Sequence, residues 1–397
     1  MAEKNLNFEQ VIERRGTDCL KYDFASKRGL PEGVLPLWVA DMDFRISSYI
    51  QEALFEQVEH GIYGYTDTLD EYYQAVNKWL GNHYGYNVLE EEIVKTPGVV
   101  YAIGMAIQAF TRPGDAVLIQ QPVYYPFSSV ILDNKRELVS NDLVYDKENL
   151  TYHIDFADFE KKIVENSVKL FLLCNPHNPV GRAWNREELI QIGEICSKHG
   201  VFVFSDEIHA DFVWKGKHQA FLTAKGGFEQ IAVTATAPSK TFNLAGLQVS
   251  NLVIKNKQLR QKFQAALDAS GYSQLNAAGL IACKTAYQSG EEWYEAVKKY
   301  IQSNIEFMMS YLKENIPQIK MIYPEATYLV WVDCSGLGLT DEELEDLIVK
   351  KANLWLDSGR IFGDVGRGFQ RFNVACPRKI LKQALEQLKE AVDNKYI

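Results

Sequence analysis

Between residues 93 and 254 the chain repeats one pattern: a short, almost wholly apolar run, a polar loop, then a stretch with helical spacing. The runs lie at 116–119, 169–173, 201–205, 231–234 and 251–254, and helical patterns stand at 100–110 and 186–199. Runs this short are strands rather than helices. Their lack of in–out alternation means that both faces are covered. Apolar strands separated by helices predict a three-layer α/β unit with a mostly parallel sheet. In such sheets ligands bind beyond the carboxyl ends of the strands, so the loops that follow each run are where function is sought.

At 397 residues the chain exceeds what one simple core fills, and two domains are expected. The last third changes character. Amphipathic helices are expected at 256–267 and 291–314, a strand at 327–333, a helix at 341–351, a strand at 371–375 and a charged helix at 378–393. This is the pattern of a smaller α+β domain, and the first fifty residues, with their apolar segment 34–40, are expected to pack with it. The expected division is therefore 1–50 with 286–397 around a large domain at 51–285. No linker rich in Pro, Gly and Ser separates the parts, so they are interwoven.

A net charge of −10 argues against a nucleic-acid partner, which needs a positive surface. No apolar stretch reaches the ~18 residues of a membrane span. The opening Met1-Ala-Glu-Lys-Asn-Leu-Asn lacks the basic-then-apolar pattern of a signal peptide. The six cysteines show no CxxC pair, and the seven histidines show no metal-type spacing. A cytoplasmic protein with reduced thiols and no metal is expected.

Lys240 lies in Thr234-Ala-Thr-Ala-Pro-Ser-Lys-Thr-Phe-Asn-Leu-Ala-Gly-Leu-Gln248, a small-residue loop just past an apolar run. A lysine there is either a solvated loop residue or, with its pKa lowered, a nucleophile towards carbonyl compounds. Four other strand-end loops bear on the choice. Thr96-Pro-Gly-Val-Val starts a helix whose free N–H groups suit a phosphate, although any strand–turn–helix junction looks similar. Gln121-Pro-Val-Tyr-Tyr-Pro offers Tyr124 as a flat surface for a ring, or as packing. Asn175-Pro-His-Asn-Pro-Val-Gly-Arg182 is a rigid loop presenting Asn178. Ser205-Asp-Glu-Ile-His209 ends an apolar strand with Asp206, whose burial calls for a cationic partner. His209 follows, with a structural role more common than a catalytic one. In the last third, Arg371 beside Phe372, Val374 and Ala375 can grip a carboxylate in a bidentate fork.

In this order the motifs resemble the fold type I pyridoxal-phosphate enzymes, the class I/II aminotransferase superfamily, and within it the cystathionine β-lyase branch of MalY/PatB-type C–S lyases. The resemblance runs from Leu37-Trp-Val-Ala-Asp-Met-Asp-Phe44 and Tyr63-Gly-Tyr-Thr66 to Arg371-Phe-Asn373. It implies pyridoxal 5'-phosphate as cofactor, carried by Lys240, which also moves the Cα proton of the substrate. Asp206 would pair with the ring nitrogen, Asn178 with the ring hydroxyl, and Tyr124 would stack on the ring, with His209 nearby. Val99, Val100 and Ser239 would hold the phosphate, joined by Tyr65 of a neighbouring subunit in a homodimer with shared sites. Arg371 would bind the substrate α-carboxylate in a pocket shaped by Trp38, Val39, Tyr124 and Asn178.

Three positions depart from the aminotransferase pattern: Gln248 replaces a phosphate-binding arginine, Ala237 a serine and His209 a tyrosine. Those at 248 and 209 favour β-elimination from a cysteine-type thioether, releasing thiol, pyruvate and ammonia. An aminotransferase is the alternative. A regulatory protein that retains the cofactor is a second one.

Overall fold

The computed structural model describes residues 3–396. After a two-residue β1 (Leu35–Pro36), the chain enters the strands β2 (Ile93–Thr96), β3 (Ala116–Ile119) and β4 (Glu137–Ser140). A small hairpin, β5 (Val144–Asp146) and β6 (Thr151–His153), precedes β7 (Leu170–Cys174), β8 (Phe202–Asp206), β9 (Ala232–Thr236) and β10 (Ser250–Val253). Seven of these form one sheet in the order β2-β10-β9-β8-β7-β3-β4. The five strands from β9 to β4 are parallel, and β10 runs antiparallel to both of its neighbours.

The apolar runs are continuous because each strand feeds two cores. Leu170, Leu172 and Cys174 of β7 join the cluster formed with the helices Val99–Phe110 and Lys257–Ala269. Phe171 and Leu173, pointing the other way, join the cluster under Phe156–Glu165 and Arg186–His199. This two-residue alternation leaves no wet face for a polar residue. Each such Leu or Phe buried contributes about 1.5–3 kcal/mol. The covering helices are bounded by local chemistry. Arg186–His199 starts at a capping box between Asn185 and Glu188 and stops at Gly200 in the left-handed region, φ 67°.

The strand ends differ from those read from apolarity alone. The runs expected at 169–173, 201–205 and 231–234 all extend further towards the carboxyl end. Pairing, not hydrophobicity, sets that limit: Cys174 pairs with Asp206, and Asp206 with Ala235.

The last third builds a second sheet from β11 (Lys320–Met321), β12 (Leu329–Asp333), β14 (Asp357–Ser358) and β15 (Phe369–Asn373), antiparallel throughout in the order β11-β12-β15-β14. The strand expected from 327 starts two residues later, because Thr327 sits at φ 71°. The helix expected at 341–351 is α-helical over Asp341–Asp346 and continues as a π-turn over Leu347–Lys351. β13 (Leu354–Trp355) pairs in parallel with β1, so the first fifty residues and the last third share a sheet. The divisions at 50/51 and 285/286 fall inside the helices Ser48–His60 and Ala277–Ser289. Among the described residues no helix is long and apolar enough to cross a membrane.

Candidate active site

The in-register ends of β7, β8 and β9 bring three loops side by side. Asn178 follows β7, Asp206 ends β8, and Ser239 and Lys240 follow β9. With Tyr124 beyond β3, and with Val99 and Val100 at the start of the helix after β2, they line one cavity of about 460 Å³. His209 and Gln248 line it too. The order of loops along the sequence has become a ring of side chains at one sheet edge.

Lys240 sits in the short helix Pro238–Thr241. Its Nζ donates to the Ala40 carbonyl at 2.7 Å, an oxygen that also accepts from the Tyr328 hydroxyl at 3.2 Å. Burial lowers the Lys240 pKa to about 8; the Arg371 charge adds to this, while Asp41 and Asp206 oppose it. About one amine in ten is then neutral at pH 7, against roughly one in 2,500 for an ordinary lysine. Burial likewise lifts Asp206 to about 7. The only hydrogen bond its carboxyl makes among the described residues is from the Ile208 N–H at 3.2 Å. His209 is held well below its usual pKa by burial and by the Lys240 and Arg371 charges, so its ring is neutral at pH 7.

At the far wall the helix Val99–Phe110 begins at Gly98, which adopts φ 108° and offers no side-chain cap. A left-handed φ suits glycine, and the first N–H groups of the helix are left to point at whatever fills the cavity. Gln248 faces the same space from a left-handed position, φ 49°. It brings no charge where the resemblance led one to look for arginine.

Arg371 lies on β15 directly opposite Asp357 of β14 and Trp331 of β12. It is 2% exposed, and its Nη2 forms a short ion pair with Asp357 and donates to the Trp38 carbonyl at 2.9 Å. Nη1 donates to Asn178 Oδ1 at 2.8 Å. The carboxylate-binding candidate and the ring-hydroxyl candidate are thus joined across the two sheets, and the Asn178 amide donor is not used in that bond. Burial raises Asp357 despite the Arg371 charge.

Trp38 and Val39 reach the site through their backbones. The Trp38 ring stacks on Trp355 at 4.4 Å instead, and the Val39 carbonyl accepts from Asn373 Nδ2 at 2.7 Å. Tyr65 stands apart from the cavity at 99% exposure.

Sequence reading missed Ala40, Asp41 and Asp357. Two acids in the apolar run Leu37–Phe44 were the available signal for the first pair. Asp41 pairs with Arg14 at 2.7 Å, and Asp43 with Arg14 at 2.6 Å and the wholly buried Lys21 at 2.9 Å. Lys21 and Arg14 together outweigh burial and hold the Asp41 carboxyl below its usual range. Nothing local marked Asp357. Only the β14–β15 pairing places it against Arg371.

Known proteins share this fold and much of this sequence. Cystathionine β-lyase PatB of Bacillus subtilis is 43% identical over 98% of this chain and 100% of its own. Two solved structures, both containing pyridoxal phosphate, superpose with TM-scores of 0.94. One, from Clostridium difficile and assigned there provisionally to the aminotransferases, is 41% identical and covers 97% of this chain and 99% of its own. The other, cystalysin of Treponema denticola, is 35% identical and covers 98% and 99%. The family model for aminotransferases of class I and II matches residues 40–388, from the carbonyl that holds Lys240 through the strand that carries Arg371. The chain belongs to the class I and II aminotransferase family.

Proposed function

We propose that this protein is a pyridoxal-phosphate-dependent carbon–sulfur lyase that cleaves cysteine-type thioethers such as cystathionine, with one water consumed, into a thiol, pyruvate and ammonia. The observation that carries the reading is the pairing, across one cavity, of a lysine with a lowered pKa and a buried carboxylate with an unmet need for a cation. Similarity to PatB over almost all of both chains supports elimination over amino transfer, as does the uncharged Gln248.

The residues fit the cofactor. Asp206, buried and nearly unpartnered, suits a protonated ring nitrogen, which would return its pKa towards the usual range. The Asn178 amide suits the ring hydroxyl, Tyr124 the ring face, and His209 the neighbouring edge as a neutral group. The N–H groups of Val99 and Val100 and the Ser239 hydroxyl suit the phosphate. When bound, pyridoxal phosphate supplies an electron sink for negative charge developing at the substrate Cα.

The chain's own groups do the rest. Arg371 takes the α-carboxylate, fixing which Cα bond faces Lys240. Once its amine is neutral, Lys240 removes the Cα proton. It holds that proton within reach of the departing sulfur. A cation opposite Asp206 would favour its anionic form, so Asp206 ties the charge of the ring nitrogen to the loaded site. Trp38 and Val39, through the carbonyls that hold Arg371 and Asn373, set the position of the clamp.

The same reading includes a homodimer to which Tyr65 of each subunit contributes. The segment from Phe55 to Leu69 supports it, since Phe55, Val58, Ile62, Tyr63, Tyr65 and Leu69 are all more than half exposed, an apolar patch that marks an interaction site. It includes a two-domain division near residues 50 and 285, within the helices Ser48–His60 and Ala277–Ser289; the β1–β13 pairing supports the joining of the first and last segments in the smaller domain. It also includes a cytoplasmic location, supported by six unpaired cysteines, five of them buried.

The test is a coupled assay across cystathionine, cysteine and S-alkyl cysteines. Pyruvate and free thiol formed without any added keto acid are expected, and Lys240→Ala should abolish them. Keto-acid-dependent amino transfer with no thiol would instead establish an aminotransferase. Turnover retained in Lys240→Ala would overturn the assignment of that residue.

A further inference from the structure

One buried carboxylate near the cavity has no part in the chemistry above. Asp211 is 5% exposed and follows β8 by five residues. Its Oδ2 accepts from the Thr241 hydroxyl at 2.5 Å, and its Oδ1 from the Trp79 indole N–H at 3.2 Å. The Tyr84 hydroxyl also faces it, and His83 Nδ1 lies 4.0 Å from Oδ1. The Tyr294 hydroxyl donates to the Asp211 backbone carbonyl at 2.6 Å. Asp211 is thereby fixed by the helices Asp70–Tyr84 and Glu291–Asn315, neither of which lines the cavity. Its one bond towards the cavity goes to the residue after Lys240.

The helix carrying Lys240 cannot hold itself. Pro238–Thr241 is four residues long, well below the length at which a helix is stable on its own. It closes on the bonds Phe242 N–H to Pro238 and Leu244 N–H to Ser239. On its downstream side Asn243 is tied to Met42 and Phe44 by three hydrogen bonds between 2.9 and 3.1 Å. The Lys240 amine itself rests on the Ala40 carbonyl, a contact it must leave to react. While the amine is in motion, Thr241 is the fixed point next to it.

We infer that Asp211 and Thr241 are positioning residues for Lys240. The charge-assisted Thr241–Asp211 hydrogen bond fixes the backbone from which the lysine swings, so that its amine meets the cofactor carbonyl and the substrate Cα at the correct distance. The inference rests on the assignment of Lys240 made above. A misplacement of about 1 Å in such a group lowers the rate by about 100-fold, so the bond is expected to act on kcat rather than on substrate affinity.

Four variants and two readouts test this. Thr241→Val keeps the shape and removes the hydroxyl; kcat should fall about 10- to 100-fold with KM changed less than about threefold. Thr241→Ser, which restores the donor, should recover kcat to within about threefold of the parent. Trp79→Phe removes one of several groups that hold Asp211, leaving Tyr84 and Tyr294 in place, and should lower kcat clearly less than Thr241→Val does.

The second readout uses the cofactor-free protein. Competitive acetylation with trace acetic anhydride, followed by peptide mass spectrometry, reports the reactivity of Lys240 against pH. The profile should change in Thr241→Val and return in Thr241→Ser. Unchanged kcat and unchanged labelling in Thr241→Val would overturn the inference, as would failure of Thr241→Ser to recover, or an equal fall of kcat in Trp79→Phe. Lys240→Ala is the fourth variant and separates the two claims. If it retains turnover the assignment of Lys240 fails, whereas an inactive Lys240→Ala beside a fully active Thr241→Val overturns only the positioning role.

Discussion

Replacing Asp206 by asparagine should make the cofactor-free protein more stable while crippling the loaded enzyme. The reason is the raised pKa of about 7, against an ordinary value of 3.8. A carboxyl whose folded pKa lies above its unfolded one binds more protons in the native state, so its contribution falls as pH rises from about 4 to about 7 and levels off above that. A rise of about three pKa units at about 1.4 kcal/mol each amounts to about 4 kcal/mol of destabilisation at pH 8. At pH 5 the same shift amounts to about 1.6 kcal/mol, because the folded carboxyl still holds its proton there.

Asparagine has nearly the same shape and carries no charge, so it should return most of this difference. Urea denaturation of the cofactor-free parent and variant at pH 5 and pH 8 measures it. The variant's advantage should be more than twice as large at pH 8. With pyridoxal phosphate bound the order reverses, since the carboxylate then faces a cation and the amide does not; cofactor affinity and kcat should both drop. An advantage that does not change with pH, or a variant less stable than the parent at pH 8, would refute the argument. Either would mean that the protein already compensates the Asp206 charge.

Further outcomes follow from the same geometry. The Lys240 pKa of about 8 predicts that the rate of cofactor loading rises about tenfold per pH unit below that value and is flat above pH 9. Absorbance on mixing measures it, with Nα-acetyl-lysine as a reference that divides out the cofactor's own ionisations; a rise continuing to pH 10 would contradict the lowered pKa. Arg371→Lys should raise KM by at least about tenfold, because an ammonium cannot hold Asp357, Asn178, the Trp38 carbonyl and a carboxylate in one fork. Steady-state kinetics with cystathionine check it, and an unchanged KM would place the carboxylate elsewhere.

What the sequence made legible is what lies within one strand–loop unit. Apolar runs reveal strands, and the polar residues that end them, Asn178, Asp206 and Lys240, fall together because parallel strands in register share one edge. Direction is less legible: nothing in the run at 251–254 says that β10 runs opposite to β9, since both faces of either strand are buried. Long-range pairings are not legible at all. The contact of Lys240 with Ala40 spans 200 residues, and Asp357 meets Arg371 because of the path of one short strand. The resemblance implied that Trp38 helps to shape the pocket, and no local pattern shows which way its ring points. Its stacking on Trp355, again a distant partner, turns it away.

The proposed substrate clamp is stretched across almost the whole chain. The Trp38 carbonyl and the Arg371 guanidinium that bonds to it are separated by 333 residues. At synthesis rates of about 5–20 residues per second, roughly 17 to 67 s pass between the two leaving the ribosome. Lys240 itself emerges 131 residues before Arg371, so for roughly 7 to 26 s the nascent chain carries the lysine without its candidate carboxylate partner. Phe372, Leu381 and Leu385 share one core with Phe242 and Leu244 beside Lys240, so the setting of the lysine, like the clamp, is completed only when the end of the chain arrives.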